Sequence, residues 1–265
     1  MKNLFLFLFL LVVFTSKAQD NRVSGLNSRQ FTKYWKVESE SPDYKVTFQG
    51  DTAEIVSPKG LTLWRKEKMS GKVTIEYDAC VVVESDGDRL SDLNCFWMAS
   101  DPQYPDNLWK REKWRSGIFL NCYSLQLYYL GYGGNHNSTT RFRRYDGDES
   151  GITNPKARPA ILKEYTDAGQ LLKPNHWYHI KITNENNRVS YYIDGERLVD
   201  FRDAEPLREG WFGFRTTLSR TRITNFSYEC SSQEAAAVPL QWIGETPRQD
   251  KAVSFGVPFD KGEVF

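Results

Sequence analysis

Between Lys72 and Val83 apolar and polar positions alternate, with Val73, Ile75, Tyr77, Ala79 and Val81 on one face and Thr74, Glu76 and Asp78 on the other. A period of two marks a half-buried strand. The stretches 92–100 (DLNCFWMAS), 116–131 (SGIFLNCYSLQLYYLG), 177–201 and 210–230 repeat the pattern, separated by turns rich in Asn, Asp and Gly. Strands at spacings of roughly 8–12 residues predict an all-β antiparallel β-sandwich. Helical periodicity is nearly absent; only 158–172 (RPAILKEYTDAGQLL) could hold a short helical turn or lid, or equally a loop. Asp194-Gly195 reads as a two-residue type I′ hairpin turn, which needs positive φ at both positions.

The two ends read differently. One lysine, an apolar run from Leu4 to Phe14, and small residues at Ser16 and Ala18 form a signal-peptide pattern with expected cleavage after Ala18. That run is too short to span a bilayer, and no later stretch approaches the required length. An exported protein, extracellular or periplasmic, with no membrane partner is therefore expected. Residues 19–230 carry the sandwich, and 231–265 form a linker (SSQEAAA) and a tail.

Composition changes this picture little. A net charge of +1 gives no reason to expect a nucleic-acid partner. The 8 Trp and 14 Tyr suit stacking on sugars, but they suit sandwich cores equally. Cys80, Cys95, Cys122 and Cys230 form no CxxC pair, which argues against zinc. In an oxidising compartment they could make two disulfides, in three connectivities, or remain buried thiols.

Two segments carry resemblances. The closing stretches NHWYHIKITNENNRVSYYIDGERLVDF and EGWFGFRTTLSRTRITNFSYE resemble the final half of a concanavalin-like jelly roll. That resemblance implies that the strand at 223–230 returns beside 72–83, which favours a Cys80–Cys230 pairing over the alternatives. The tail VPLQWIGETPRQDKAVSFGVPFDKGEVF resembles the opening of the exo-type rhamnogalacturonan lyase proteins. It implies a chain related to proteins that act on rhamnose- and uronate-containing polysaccharides.

The stretch 128–147, YYLGYGGNHNSTTRFRRYDG, concentrates tyrosine, glycine, arginine and one of three histidines. His136 falls at the expected hairpin turn, where glycines allow a ligand to approach. Alternation puts Thr139, Arg141, Arg143 and Tyr145 on one side of the following strand, and Thr140, Phe142 and Arg144 on the other. Arg141, Arg143 and Tyr145 form a cationic stripe about 13 Å long. Guanidinium groups grip sugar carboxylates in bidentate fashion.

β-Elimination at a uronate needs its carboxylate neutralised, a base for the C5 proton and an acid for the leaving oxygen. His136, Tyr145 and Arg143 are the candidate catalytic residues. Arg141, Tyr132, Asn135, Asn94 and Trp97 are the candidate substrate-binding residues, and Arg144 or Arg115 a candidate third arginine for sulfate. No metal-ligating cluster is visible, so no cofactor is required; the acidic loops ESDGDRLSD and DGDESG could hold a structural Ca²⁺.

Jelly-roll lyases use the same residue types, and in overall character the chain resembles the ulvan lyases of polysaccharide lyase family 40. The expected function is a secreted, monomeric lyase of an acidic polysaccharide, ulvan first and rhamnogalacturonan next. The alternatives are a non-catalytic glycan-binding protein or a glycoside hydrolase, although the paired-carboxylate strand of a hydrolase is missing.

Overall fold

The alternation at 72–81 folds as expected: Val73, Ile75, Tyr77, Ala79 and Val81 are buried, while Thr74, Glu76 and Asp78 are partly exposed. A computed structural model describes residues 23–231; the expected signal peptide and the tail lie outside the described residues. In chain order the first strands are β1 (Val23–Ser24), β2 (Trp35–Ser39), β3 (Lys45–Gln49), β4 (Thr52–Arg65), β5 (Met69–Ser70), β6 (Lys72–Val81) and β7 (Leu93–Ser100). They are followed by β8 (Gln126–Gly133), β9 (Thr139–Asp146), β10 (Lys163–Tyr165), β11 (Tyr178–Glu185), β12 (Arg188–Ile193), β13 (Glu196–Arg202) and β14 (Glu209–Ser231). All pairings between them are antiparallel. No helix among the described residues is long and apolar enough to cross a membrane.

Two long strands fold the sheet over on itself. The first half of β14 pairs with β7 and with the end of β4; its second half pairs with β6 and with the start of β4. The register shifts between Thr217 and Ser219, where exposed Leu218 takes a left-handed φ of 50°. A bulge of this kind bends both strands and turns one sheet into two layers. The first layer runs β10-β9-β8-β7-β14-β4-β2 and the second β13-β12-β11-β6-β14-β4-β3. Their inner faces meet in a core where Trp97 packs against Tyr191 (centroids 6.1 Å apart) and Phe142 against Phe201 (5.5 Å).

The Asp194-Gly195 turn joins β12 to β13 with φ of 51° and 83°, and Ile193 pairs with Glu196 across it. Segment 158–172 holds strand β10 and, after it, a short 3₁₀ turn at Ala168–Gln170, the short helical turn that the sequence allowed. Its apolar pair Ile161 and Leu162 stays exposed, so nothing drives a longer helix.

The implied disulfide is corrected by the register. β6 and β14 are neighbours, but Cys80 lies opposite Arg222 and Cys230 opposite Val73. Seven residues of strand separate the two positions, about 23 Å at the usual rise, against the ~6 Å between Cα atoms that a disulfide spans. All four cysteines are free thiols. Burial pushes Cys95 and Cys122 up to about 12.

Between β7 and β8 the chain leaves the sheet for residues 101–125 and lies over the outer face of the first layer. Leu108, Cys122, Tyr123 and Leu125 of this flap pack on Trp64, Phe96, Tyr129, Tyr145 and Trp211, forming a second apolar core. The flap is fastened from beneath by Arg115, which is fully buried and donates to Glu38 Oε2 on β2 at 3.0 Å and to the Leu108 carbonyl at 2.7 Å. Asp101 lies 3.7 Å from the same guanidinium. The flap covers only part of the layer, and the uncovered remainder is a pocket.

Candidate functional site

The pocket encloses about 370 Å³ on the outer face of the first layer, at the edge of the flap. Its floor comes from alternate positions of three adjacent strands: Asn94 on β7, Tyr129 and Gly131 on β8, Arg141 and Arg143 on β9. Asn94 pairs with Gly131, and Gly131 with Arg141, so these residues lie in one cross-strand row. Arg215 of β14 and Arg89 of the loop between β6 and β7 close one side, and Phe119 and Tyr123 of the flap close another.

Four guanidinium groups face two carboxylates here, Glu40 and Asp92. Arg89 is paired with Asp92 at 2.8 Å and also donates to the Thr217 carbonyl at 3.0 Å. Arg141 is paired with Glu164 of β10 at 2.5 Å. Arg143 and Arg215 form no ion pair among the described residues. Arg143 donates to the Pro159 carbonyl, and Arg215 to the Gly117 carbonyl at 2.5 Å. Each of these guanidinium groups is thus positioned by a backbone oxygen while its charge stays uncompensated by a carboxylate contact.

Asn94 adds an acceptor. Its Nδ2 donates to Asp92 Oδ1 at 3.2 Å, but its Oδ1 is buried and accepts no hydrogen bond. An orphaned buried oxygen costs about 1–3 kcal/mol.

Tyr129 is the phenol of the site. A β-carbon at position 131 would collide with its hydroxyl, so Gly131 leaves the space that the phenol fills. Burial, and next the charge of Asp92, raise the Tyr129 pKa, with Arg215 and Arg143 pulling the other way. The group stands as a protonated donor.

The structure brings Asn94, Asn135, Arg141 and Arg143 together in this pocket. It does not bring Tyr145 with them. Tyr145 faces the same side, but the flap roofs it: Tyr123 packs on its ring at 5.2 Å, its exposure is 0%, and its hydroxyl has no partner. Sequence alternation fixes a side chain's face and is silent about a distant segment that covers it.

Trp97 points the other way, into the core between the layers, beside Tyr128 and Phe142. Tyr132 is buried on that inner side too, donating to the Leu171 carbonyl at 3.2 Å. His136 is exposed on the turn between β8 and β9, the residue after Asn135, and is not part of the pocket wall. Asn135, His136 and Asn137 all have left-handed φ, 52° to 57°.

Arg144 is bound to Asp203 at 2.7 Å and to Asp146, and Arg115 is buried under the flap, so neither faces the pocket. Sequence reasoning missed Tyr129, Arg215, Arg89 and the flap residues Phe119 and Tyr123. Tyr129 could have been found from the alternation Leu127-Tyr129-Gly131 on the side opposite Tyr128 and Leu130.

No group of three or more His, Cys, Asp or Glu side chains among the described residues is placed to hold a metal ion. In the two acidic loops several carboxylates have protein partners. Asp88 accepts from the Glu84 and Ser85 backbone, Asp148 accepts from the Ser150 backbone, and Glu149 is paired with Arg111.

A family model described as "Domain of unknown function (DUF6250)" matches residues 55–226. No curated protein sequence matches the chain. Among solved structures, the chain is similar to a Bacillus subtilis protein of unknown function with a galectin-like fold (TM-score 0.63, 15% identity, covering 80% of this chain and 96% of that one). It is also similar to the exoplasmic/lumenal domain of VIP36 in its Ca²⁺/Man3GlcNAc-bound form (TM-score 0.52, 8% identity, 82% and 91% covered). A third is the carbohydrate recognition domain of Emp47p (TM-score 0.50, 14% identity, 81% and 96% covered). At these identities the likenesses establish the antiparallel jelly-roll sandwich and nothing finer.

Proposed function

The chain belongs to the family described as a domain of unknown function, DUF6250, and we propose that its pocket recognises an acidic sugar unit of a polysaccharide. The observation that carries this reading is the convergence of Arg143 and Arg215, neither paired with a carboxylate, on one pocket. A sugar carboxylate or sulfate supplies the missing anion in charge-assisted hydrogen bonds. The carbohydrate recognition domain of Emp47p and the Man3GlcNAc-bound domain of VIP36, which share the fold, add support to this reading. Ulvan is the favoured polymer and rhamnogalacturonan the next, on the sequence resemblances; export through the signal-peptide pattern is consistent with such a substrate.

A second reading, turnover by β-elimination, is favoured by Tyr129. Its phenol lines the pocket with Asn94, Arg143 and Arg215 and stays protonated, so it has a proton to give to the leaving oxygen. The arginines would neutralise the uronate carboxylate, and the base would come from the adjoining turn, where His136 is the candidate. The C5 proton passes to the base, the C4–O bond breaks, and the C4–C5 double bond forms. In this scheme Tyr129 replaces Tyr145, which the flap shuts away.

One experiment tests both readings. Purified protein is run through native gels containing ulvan, rhamnogalacturonan or glucuronan, and is incubated with each while the ultraviolet absorbance of unsaturated uronate is followed. Retardation without absorbance supports recognition alone, and retardation with absorbance supports the lyase. No retardation by any acidic polymer overturns the proposal.

A further inference from the structure

Two buried glycines meet where the flap reaches the arginine pocket: Gly60 on β4 and Gly117 on the flap. A β-carbon on Gly60 would collide with the Gly117 carbonyl oxygen and come within 2.5 Å of Arg215 Nη2 and 3.0 Å of Glu40 Oε2. A β-carbon on Gly117 would come within 2.7 Å of the Glu40 nitrogen and 2.8 Å of the Gly60 carbonyl oxygen. Only glycine lets two backbones approach this closely. Gly60 has no left-handed φ, so space alone requires it. Gly117 also turns the chain, at φ 70° after Ser116 at φ 48°.

This crossing touches a carboxylate and a guanidinium of the pocket at once. The Gly60 N–H donates to Glu40 Oε2 at 2.8 Å, and the Glu40 N–H donates to the Gly60 carbonyl at 2.9 Å. Arg215 is 3% exposed, and the flap holds it in two ways. Its Nη1 donates to the Gly117 carbonyl at 2.5 Å, and the Phe119 ring centroid lies 5.6 Å from its guanidinium carbon. At its other end, the Gly117 N–H lies against the carboxylate of Glu38, the buried partner of Arg115, and favours its charged form. One flap residue therefore joins the ion pair that fastens the flap to a guanidinium that lines the pocket.

We infer that Gly60 and Gly117 are positioning residues of the arginine pocket: their close crossing lets the docked flap hold the Arg215 guanidinium in place, so that flap docking and anion binding at Arg215 are coupled. This role rests on the proposed recognition of an acidic sugar and deepens it. Coupling of this kind is reciprocal. An acidic unit bound by Arg215 stabilises the docked flap, and a flap lifted from Gly60 takes away the carbonyl that orients Arg215. Phe119 and Tyr123 leave the pocket wall with it.

The test is a double-mutant cycle read with ulvan. Affinity is measured by calorimetry for the wild type, Gly60→Ala, Arg215→Gln and the double variant, with circular dichroism as the check of folding. Gly60→Ala and Arg215→Gln should each bind about tenfold more weakly, the loss of a charge-assisted hydrogen bond. The double variant should bind no more weakly than Arg215→Gln, whereas an effect of Gly60→Ala that bypassed Arg215 would add to it. Hydrogen exchange of the flap amides, 101–125, is a second readout that needs no change at Gly60. Saturating ulvan should slow it in the wild type, and slow it less in Arg215→Gln. Three results overturn the positioning role and leave the arginine pocket standing: additive losses, wild-type affinity in a folded Gly60→Ala, or flap exchange indifferent to ulvan in a wild type that binds it. If ulvan does not bind the wild type, the pocket reading falls and the positioning role falls with it.

Discussion

Tyr129 and Gly131, two residues apart on one face of β8, act as a single unit: the phenol occupies the volume that a side chain at 131 would fill. This places the hydroxyl beside Asn94, which pairs with Gly131 across the strands. Gly131→Ala should therefore displace the Tyr129 ring. The expected outcome is a fall in stability of about 1–3 kcal/mol from overpacking, with weakened binding of acidic polymer. Urea unfolding measures the first and native gel retardation the second.

Tyr129→Phe and Tyr145→Phe separate the two phenols. Tyr145 has a buried, unpartnered hydroxyl, so its removal should be neutral or slightly stabilising and leave binding and any turnover unaltered. Under the lyase reading Tyr129→Phe should lower turnover by about 10²–10⁴-fold while the polymer still binds. Equal effects of the two substitutions would show that the flap does not shield Tyr145.

The flap's fastening gives a pH signature. Burial raises the Glu38 carboxyl above its ordinary value of 4.5, although Arg115 pulls it down. A carboxyl with a raised pKa in the folded chain binds its proton more tightly there than in the unfolded chain. Its contribution to stability is therefore largest below the unfolded pKa and is lost as pH rises through the folded value. Glu38→Gln cannot titrate and should flatten this limb in urea unfolding above the ordinary carboxylate value of 4.5. Arg115→Ala, which strands the buried Glu38, should cost about 3–5 kcal/mol.

The cysteine register predicts four free thiols. Thiol titration of the denatured chain without reductant should find all four, and a reductant should leave the melting temperature unchanged. A reductant-sensitive melting temperature would contradict the β6–β14 register.

Much of the fold was legible in the sequence because its causes are local. Val73 to Val81 alternate, Asp194-Gly195 dictates its turn, and both appear where the pattern put them. The site was legible only in part. Arg141, Arg143 and Asn94 line the pocket because strand alternation fixes their face. Arg215 was hidden because it lies about 70 residues further along and meets the others only through β14–β7 pairing. The fate of Tyr145 and the role of Tyr123 were hidden for one reason: both depend on a flap of weak periodicity, docked through the buried Glu38–Arg115 contact. Trp97 shows the converse limit, since a large aromatic ring is equally at home in a core and on a sugar platform.

The most direct test of the central claim is the affinity of the chain for ulvan, measured by calorimetry for the wild type, Arg143→Ala, and Arg197→Ala on exposed β13. The account predicts that Arg143→Ala binds at least about tenfold more weakly, that Arg197→Ala binds as the wild type does, and that added salt weakens the wild type most. Unchanged affinity in Arg143→Ala, or equal binding of an uncharged glucan by the wild type, would contradict it.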